Sequence, residues 1–308
     1  MTKILISDRT HEVLEQKLRD AGFEVSVEPG HDYESLIAAA QGCDGLVVRS
    51  KVVVDRAFID RVPSLRCIGR VGAGMETIDV EYAESKGIRC LNSPEGNRDA
   101  VGEHAVGLLL ALLNNIARAD AEVRRGLWRR EENRGYELGN LTVGIIGYGN
   151  MGHAFAQRLS GFGCRVVAYD KYKAPEGVEA VSLEELQGVA DVVSFHVPLT
   201  GETRHYLDAG FIASMRKPFF LLNTSRGAVV DTAALARGLE EGKVRGAALD
   251  VLEYEDMTKD GLADAPEPMQ YLLRSDRTVL TPHVAGWTVE SKYKLAAVLA
   301  DKIIDVLK

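Results

Sequence analysis

The stretch that decides the fold runs from Leu141 to Gly152 and reads LTVGIIGYGNMG. Its first half is an apolar run typical of a buried strand, and a helix is predicted at Met151–Gly161. In a turn of this kind Gly147 permits the sharp bend, Gly149 lets the backbone approach a pyrophosphate, and Gly152 lets the helix pack close to the strand. The free N–H groups at the start of that helix favour an anion. The stretch therefore predicts a dinucleotide-binding unit.

A carboxylate follows at the spacing that a dinucleotide site requires. The next predicted strand, Arg165–Tyr169, ends immediately before Asp170, close to the offset of ~20 residues expected for an acid that binds the adenosine ribose. A glycine-rich turn without a ligand is the competing interpretation, and this acid argues against it. A carboxylate there accepts hydrogen bonds from the ribose hydroxyls and repels a 2′-phosphate. We therefore expect NAD rather than NADP as the cofactor.

Strands and helices alternate on both sides of this stretch. The predicted strands of the carboxyl-terminal series are Leu141–Ile146, Arg165–Tyr169, Val192–His196, Phe219–Asn223, Gly246–Asp250 and Thr278–Leu280. Those of the amino-terminal series are Lys3–Ser7, Phe23–Val27, Gly45–Val48, Cys67–Gly69 and Gly87–Leu91. Such alternation predicts parallel sheets covered on both faces by helices. Because no glycine loop follows Ile6, we do not expect the first series to hold a dinucleotide.

The chain is predicted to form two domains, in keeping with 308 residues at ~150 residues per domain. A loop at Asn92–Asn97 precedes one long predicted helix, Arg98–Arg118, and marks the first boundary. The final predicted helix, Val289–Lys308, can close back onto the first domain. The predicted domains are therefore residues 1–97 plus 289–308, and residues 98–288.

The composition excludes several classes of protein. With 37 Lys and Arg against 45 Asp and Glu, the net charge is −8, so a nucleic acid or an anionic membrane surface is a poor partner. The longest apolar run, around Gly107–Leu113, is too short to span a bilayer, and the N-terminus turns polar too early for a secretory signal. The four cysteines lack C-x-x-C spacing and the histidines lack metal-ligand spacing. We expect reduced thiols, no metal site and a cytoplasmic location.

Three polar residues follow later predicted strands, at the edge where ligands bind in open α/β sheets: Arg226, Glu255 and His283. A histidine exchanges a proton near neutral pH, as the oxidation of a secondary alcohol by a nicotinamide requires. A carboxylate behind it fixes the tautomer, and an arginine matches a substrate carboxylate. Singly, each has a structural alternative: a helix cap for Arg226, solvated surface for Glu255, a structural histidine after Pro282. Their joint placement favours catalysis.

An ordered set of motifs extends along essentially the whole chain. It comprises Arg70-Val71-Gly72-Ala73-Gly74 with Asp79, Asn97 through Glu103-His104, the glycine turn, His196-Val197-Pro198-Leu199-Thr200, Asn223–Gly227, Leu249-Asp250-Val251 and Thr281-Pro282-His283. This set resembles the D-isomer-specific 2-hydroxyacid dehydrogenase family. The resemblance implies two doubly wound parallel-sheet domains, a Rossmann NAD-binding domain and a flavodoxin-like substrate domain, in a homodimer. It implies reversible hydride transfer between NAD and a small 2-hydroxy or 2-oxo acid.

The resemblance also implies roles for individual residues. Arg226, Glu255 and His283 are the expected catalytic residues, with His283 as acid and base. The residues expected to bind substrate are Ser50, Val71, Gly72, Ala73, Gly74, Arg226 and His283. Those expected to bind NAD are Gly147, Gly149, Asn150, Met151, Gly152, Asp170, His196, Val197, Pro198, Thr224, Ser225, Asp250 and Gly286.

The substrate and the class of protein stay open at this point. Val48-Arg49-Ser50 looks like 3-phosphoglycerate dehydrogenases, but Val52 and Val53 stand where those often carry Thr and Lys. Glyoxylate/hydroxypyruvate reductase is the other candidate. Because the chain ends at Lys308, we expect it to lack the regulatory domain that some of those enzymes append. Asn150 stands where many relatives carry Arg. The alternative class is a non-catalytic, NADH-sensing corepressor, because such proteins can keep the three catalytic residues.

Four smaller features have their own interpretations. The stretch Asp256–Tyr271 is longer and more acidic than the usual Pro-rich connection in the family, which leaves the shape of the active-site rim open. His104 is expected to pack or to cap a helix. Trp287 either lines the substrate cavity or packs in the core. Trp128 and the arginines near it form either a dimer arm or a solvated face.

Overall fold

A computed structural model describes residues 1–49, 51–255, 262 and 264–308 of the chain. These residues form two compact units. The first consists of Met1–Asp99 with Trp287–Lys308, and the second of Ala100–Gly286. Each unit has its own parallel sheet and its own apolar core.

The first unit begins with strands and helices in alternation. Its strands are β1 (Lys3–Ile6), β2 (Glu24–Val27), β3 (Gly45–Val48), β4 (Cys67–Arg70) and β5 (Arg89–Asn92). The helices between them are α1 (Val13–Asp20), α2 (Tyr33–Ala39), α3 (Arg56–Arg61) and α4 (Val80–Ser85). Within the described residues the sheet has five parallel strands in the order β2-β1-β3-β4-β5. This is the flavodoxin-like order.

The chain then continues through the elements of the second unit. Its helices are α5 (Arg98–Leu113), α6 (Ile116–Arg124), α7 (Asn150–Leu159), α8 (Leu183–Val189), α9 (Ala209–Ser214), α10 (Thr232–Glu240) and α11 (Glu267–Arg274). Its strands are β6 (Thr142–Ile146), β7 (Arg165–Tyr169), β8 (Glu179–Ala180), β9 (Val192–Phe195), β10 (Phe219–Asn223), β11 (Val244–Leu249) and β12 (Thr278–Leu280). Over the described part of the chain these strands make one parallel sheet in the order β12-β11-β10-β9-β6-β7-β8. Counted from β6, this is the Rossmann order with one further strand. The predicted fold class is confirmed.

Both faces of the second sheet are covered. Along β10, Phe219 and Leu221 belong to one apolar cluster, whereas Phe220 and Leu222 belong to another. Because successive side chains on a strand point to opposite faces, a strand buried on both sides is a continuous apolar run. This is why the apolar runs of the sequence predicted the central strands.

The last helix of the chain, α12 (Val289–Leu307), packs on the sheet of the first unit. Leu299 and Ile303 join the apolar cluster that contains Ile4 of β1. A Cβ on Gly69 of β4 would lie 3.1 Å from Ile303 Cδ1 and 3.2 Å from Leu299 Cδ1. The absence of a side chain at Gly69 therefore lets the helix sit close against the sheet.

The predicted single helix at Arg98–Arg118 is wrong. The helix ends at Leu113 and a second helix begins at Ile116, with a bend of 61° between them. Asn115 takes a left-handed conformation with φ of 54°, and its side-chain amide donates to Arg134 O at 3.3 Å. Asparagine tolerates this conformation better than most residues, so the helix breaks there. Among the described residues, no single helix is long and apolar enough to cross a membrane, although α5 and α6 taken together meet that length and composition.

Candidate active site

The glycine turn between β6 and α7 is built so that two of its glycines cannot be replaced. Gly147 has φ of 89°, and a Cβ there would lie 2.6 Å from His196 O. A Cβ on Gly152 would overlap the carbonyl oxygen of Gly147. In contrast, a Cβ on Gly149 would meet no atom within 4 Å. Gly149 caps α7 without a side-chain hydrogen bond, so the start of this helix is open to an anion.

Asp170 stands beside this turn at the end of β7. Its Oδ2 accepts a hydrogen bond from Tyr148 N at 2.7 Å, and its Oδ1 accepts from Tyr172 N at 2.9 Å and Lys173 N at 3.1 Å. Burial raises the pKa of Asp170, but these backbone hydrogen bonds together with the charge of Lys173 outweigh it and hold the pKa below its usual value. The carboxylate is therefore ionised at neutral pH and fixed next to the glycines.

Two buried polar atoms lie at the carboxyl ends of the next strands. His196 follows β9 and Thr224 follows β10, and neither His196 Nδ1 nor Thr224 Oγ1 has a hydrogen-bond partner among the described residues. Burial lowers the pKa of His196 to about 3, so its ring is neutral, and its Nε2 lies 2.7 Å from Ser194 Oγ. Unpaired buried polar atoms are unfavourable without a ligand. With the open glycine turn and Asp170, they fit a bound dinucleotide.

The other residues expected to bind NAD occupy varied positions. Asn150 and Met151 are the first residues of α7, and Val197 packs against the glycine turn. Pro198 is exposed two residues after His196, and Gly286 is the last residue of the second unit. Ser225 is buried, and both its N–H and its hydroxyl donate to Asn223 Oδ1. Its side chain therefore shapes the turn after β10.

His283 and Glu255 form a hydrogen-bonded pair. His283 Nδ1 lies 2.9 Å from Glu255 Oε1, and both side chains are partly buried. Glu255 Oε2 accepts from Leu252 N at 3.1 Å, which holds the carboxylate in place. His283 takes a left-handed conformation with φ of 55°, and its N–H donates to Asp250 O at 2.7 Å. A carboxylate hydrogen-bonded to Nδ1 holds the imidazole ring in one orientation.

Arg226 lies on a turn whose backbone packs near the His283–Glu255 pair. It lies on the turn after β10, where its Nη1 donates to Ser225 O at 2.7 Å and its carbonyl accepts from Asn223 Nδ2 at 2.9 Å. A Cβ on Gly227 would overlap the carbonyl group of Leu252. The turn that carries Arg226 is therefore packed against the segment that leads to Glu255.

Asp250 organises the loop that carries His283. Its carboxylate, whose side chain is 1% exposed, accepts from Thr281 Oγ1 at 2.6 Å and from the amides of Val284 and Ala285, each at 2.9 Å. His104 Nε2 lies 3.1 Å from Thr281 Oγ1. Burial raises the pKa of Asp250, but hydrogen bonds from His104, from Thr281 and from the loop amides outweigh burial and hold the pKa below its usual value. The carboxylate is therefore ionised at neutral pH. Sequence reasoning missed this network, although the Thr281-Pro282-His283 motif contains one of its members.

The loop expected to bind the substrate carboxylate lies in the first unit, after β4. The Val71 amide donates to Val48 O at 3.1 Å and the Gly72 amide to Ser93 Oγ at 3.3 Å. The amides of Ala73 and Gly74 have no acceptor among the described residues. Of this loop, these two amides are therefore the donors left for a ligand. Ser50 lies outside the described residues, as do positions 256–261 and 263 of the acidic stretch.

Trp287, in the first unit, is 68% exposed, and the guanidinium of Arg49 lies 5.7 Å from its ring centroid. Packing in the core is therefore excluded for this tryptophan. Trp128 is also exposed. Across the part of the chain that the structure describes, no group of three His, Cys, Asp or Glu side chains could hold a metal ion.

Comparisons with known proteins agree with this geometry. The family model for the NAD binding domain of D-isomer specific 2-hydroxyacid dehydrogenases matches residues 106–285. The D-3-phosphoglycerate dehydrogenase of Methanocaldococcus jannaschii is 38% identical over 100% of this chain and 58% of its own length. That of Archaeoglobus fulgidus is 35% identical over 99% of this chain and 57% of its own length. The chain thus spans little more than half the length of these curated relatives.

Solved structures give the same result. A glyoxylate reductase from Paecilomyes thermophila has a TM-score of 0.87 at 26% identity, over 100% of this chain and 96% of its own. A D-lactate dehydrogenase from Aquifex aeolicus, complexed with NAD and lactic acid, has a TM-score of 0.81 at 28% identity, over 99% and 94%. The second unit is a Rossmann-type NAD binding domain. The chain belongs to the D-isomer-specific 2-hydroxyacid dehydrogenase family.

Proposed function

We propose that this chain is an NAD-dependent dehydrogenase that transfers hydride reversibly between NAD and a small D-2-hydroxy or 2-oxo acid. The observation that carries the proposal is the hydrogen bond of 2.9 Å between His283 Nδ1 and Glu255 Oε1. Both residues follow strands of the NAD-binding sheet at their carboxyl ends, where ligands bind in sheets of this kind.

His283 is the proton acceptor in the proposed reaction. Glu255 accepts a hydrogen bond from the protonated Nδ1 of His283, so Nε2 carries no proton. Nε2 therefore takes the hydroxyl proton of the substrate. The Glu255 carboxylate, fixed by Leu252 N–H, then stabilises the imidazolium. In the reverse direction the imidazolium returns the proton to the substrate oxygen.

Bound NAD would supply the acceptor for the hydride that leaves the substrate carbon. The start of α7 would bind the pyrophosphate, and Asp170 the adenosine ribose. His196 Nδ1 and Thr224 Oγ1, which have no partner in the described part of the chain, would face the cofactor. Because Asp170 is ionised, its charge repels a 2′-phosphate, and we expect NADH to bind more tightly than NADPH.

Two groups are proposed to bind the acid. The guanidinium of Arg226 has the fork geometry that matches a carboxylate and polarises a neighbouring carbonyl. In the first unit, the amides of Ala73 and Gly74, which have no acceptor among the described residues, belong to the loop that the family resemblance assigns to a carboxylate. The proposed substrate is either 3-phosphoglycerate or the pair glyoxylate and hydroxypyruvate. These candidates follow from the names of the similar proteins, a D-3-phosphoglycerate dehydrogenase and a glyoxylate reductase. A homodimer in the cytoplasm stays a prediction.

The test is loss of NADH absorbance with a panel of 2-oxo acids, namely glyoxylate, pyruvate, hydroxypyruvate, 2-oxoglutarate and phosphohydroxypyruvate, with NADPH in parallel. We expect saturable turnover of at least one acid and a preference for NADH. Tight NADH binding with no turnover on any of these acids would contradict the proposal. NADH-dependent binding of a partner peptide would then favour the corepressor-like alternative.

A further inference from the structure

A second histidine–carboxylate pair lies beside the turn that carries Arg226. His205 Nε2 and Glu253 Oε1 are 2.6 Å apart, and the Glu253 side chain is 12% exposed. The other oxygen of Glu253 accepts from Thr232 N, the first residue of α10, at 2.9 Å. One carboxylate therefore joins the loop after β9 to the start of α10.

The backbone around His205 is tied to the same turn. His205 N donates to Ala228 O at 2.8 Å, and Leu207 N donates to Val229 O at 3.0 Å. His205 has φ of 54°, a left-handed conformation that is unfavourable for a residue with a side chain. Such a conformation persists when its surroundings hold it, and here the Glu253 carboxylate and the Ala228 carbonyl both do so.

Glu253 also lies between two of the proposed catalytic residues. Glu255 is two positions along the chain, and the N–H of Glu253 would lie 2.5 Å from a Cβ placed on Gly227, next to Arg226. The backbone contact sets the distance between the two segments, and the side chain of Glu253 ties the far side of the turn, at Thr232, to the same residue.

We propose that Glu253 and His205 are positioning residues that hold the Arg226 turn against the Glu255 segment, without contact with the substrate. The proposal rests on the proposed function, because it assigns these residues to the same active site. A displacement of about 1 Å in a catalytic group lowers a rate by about 100-fold. Loss of the Glu253 carboxylate should therefore lower kcat while the glycine turn and NADH binding stay intact.

The experiment compares three variants of the full chain. Glu253→Ala removes both hydrogen bonds, whereas Glu253→Gln keeps an oxygen for Thr232 N–H and an amide for the other tautomer of His205. Glu179→Ala is the matched control, because Glu179 pairs with Arg165 at 2.6 Å in the same unit but on β8, at an edge of the sheet. For each variant, kcat, the Kd for NADH and the exchange rates of the amides at residues 226–232 are measured.

We expect Glu253→Ala to lower kcat by about 10- to 100-fold, with the Kd for NADH within about twofold and amide exchange at 226–232 at least about tenfold faster. Glu253→Gln should restore most of kcat, and Glu179→Ala should match the wild type. Unchanged amide exchange at residues 226–232 in Glu253→Ala would overturn the proposal. Equal losses of kcat in all three variants would also overturn it. If the wild type turns over no substrate, the exchange rates still decide, so failure of the proposed function is seen separately.

Discussion

The turns that follow β1 and β6 leave the first strands of two similar parallel sheets, yet they use their polar groups in opposite ways. After β1, Ser7 Oγ donates to Val47 O at 2.9 Å and Asp8 Oδ2 accepts from Arg49 N at 2.9 Å. Both residues are buried. After β6, three glycines leave the start of α7 without a side-chain cap. The same topology therefore produces a closed turn in one unit and an open one in the other. We infer that the turn chemistry determines which sheet binds a dinucleotide.

The largest expected effect comes from His283, which lies in the second unit, the one with the open turn. His283→Ala should lower kcat by about 10³- to 10⁴-fold because the proton acceptor is lost, with the Kd for NADH within about twofold. Steady-state kinetics and NADH fluorescence measure the two quantities. His31→Ala is the control, since His31 lies 3.5 Å from Glu28 in the first unit. Near-normal turnover in His283→Ala would remove the histidine from the mechanism.

The next effect tests the openness of the glycine turn directly. Gly149→Ala should weaken NADH binding by about 100-fold. The new methyl group has no protein atom within 4 Å, but it fills space that the pyrophosphate would occupy. The midpoint of thermal unfolding should stay unchanged. Gly161→Ala is the matched control, as its Cβ also meets no atom within 4 Å. Equal NADH affinities for the two variants would mean that this turn does not bind the cofactor.

A smaller effect is expected at Asp170. Asp170→Asn should weaken NADH binding by about tenfold, because the amide is a weaker acceptor than the carboxylate. It should also narrow the difference between the affinities for NADH and NADPH, because the negative charge that repels the 2′-phosphate is lost. Isothermal titration measures both affinities. Asp191→Asn is the control, because Asp191 precedes the central strand β9, at the amino ends of the strands, where it accepts from Thr142 N. A variant that discriminates between NADH and NADPH as strongly as the wild type would contradict the role of this carboxylate.

The same carboxylate makes a prediction about pH. The pKa of Asp170 in the folded chain lies below its ordinary value of 3.8. Its charged form is therefore fully present above that value and is lost only as the pH falls through the lower, folded-state pKa. The preference for NADH should be constant from about pH 7 to pH 9, where both Asp170 and the 2′-phosphate, whose second pKa is about 6, are fully ionised. A preference that titrates within this range would show that another group determines it.

The smallest effect belongs to the closed turn of the first unit. Asp8→Ala should lower the free energy of unfolding by about 1–2 kcal/mol, because the Arg49 amide loses its acceptor. The Kd for NADH should not change. Urea unfolding and NADH titration of the same sample test both statements. A loss of NADH affinity without a loss of stability would mean that the two turns are not functionally distinct.

The sequence predicted the central strands well because they are buried on both faces and are therefore apolar runs. It failed at Asn115, where one left-handed residue breaks an apolar pattern that otherwise continues. It also missed β8, since two residues give no periodicity. At the candidate site, motifs predicted the residues that the structure pairs as His283 and Glu255. The contacts of His104 with Thr281 and of His205 with Glu253 join residues distant in sequence, which no local pattern reveals.

The return of α12 to the first unit has a consequence for synthesis on the ribosome. Leu299 and Ile303 complete a cluster whose other members, such as Ile4 and Val47, are made near the start of the chain. At about 5–20 residues per second, residues 100–286 take on the order of 10–40 s to translate. During that time only α1, through Leu14 and Leu18, covers that face of the first sheet, whereas the second unit can complete its own core. The nascent first unit is therefore the part of the chain that would need a chaperone.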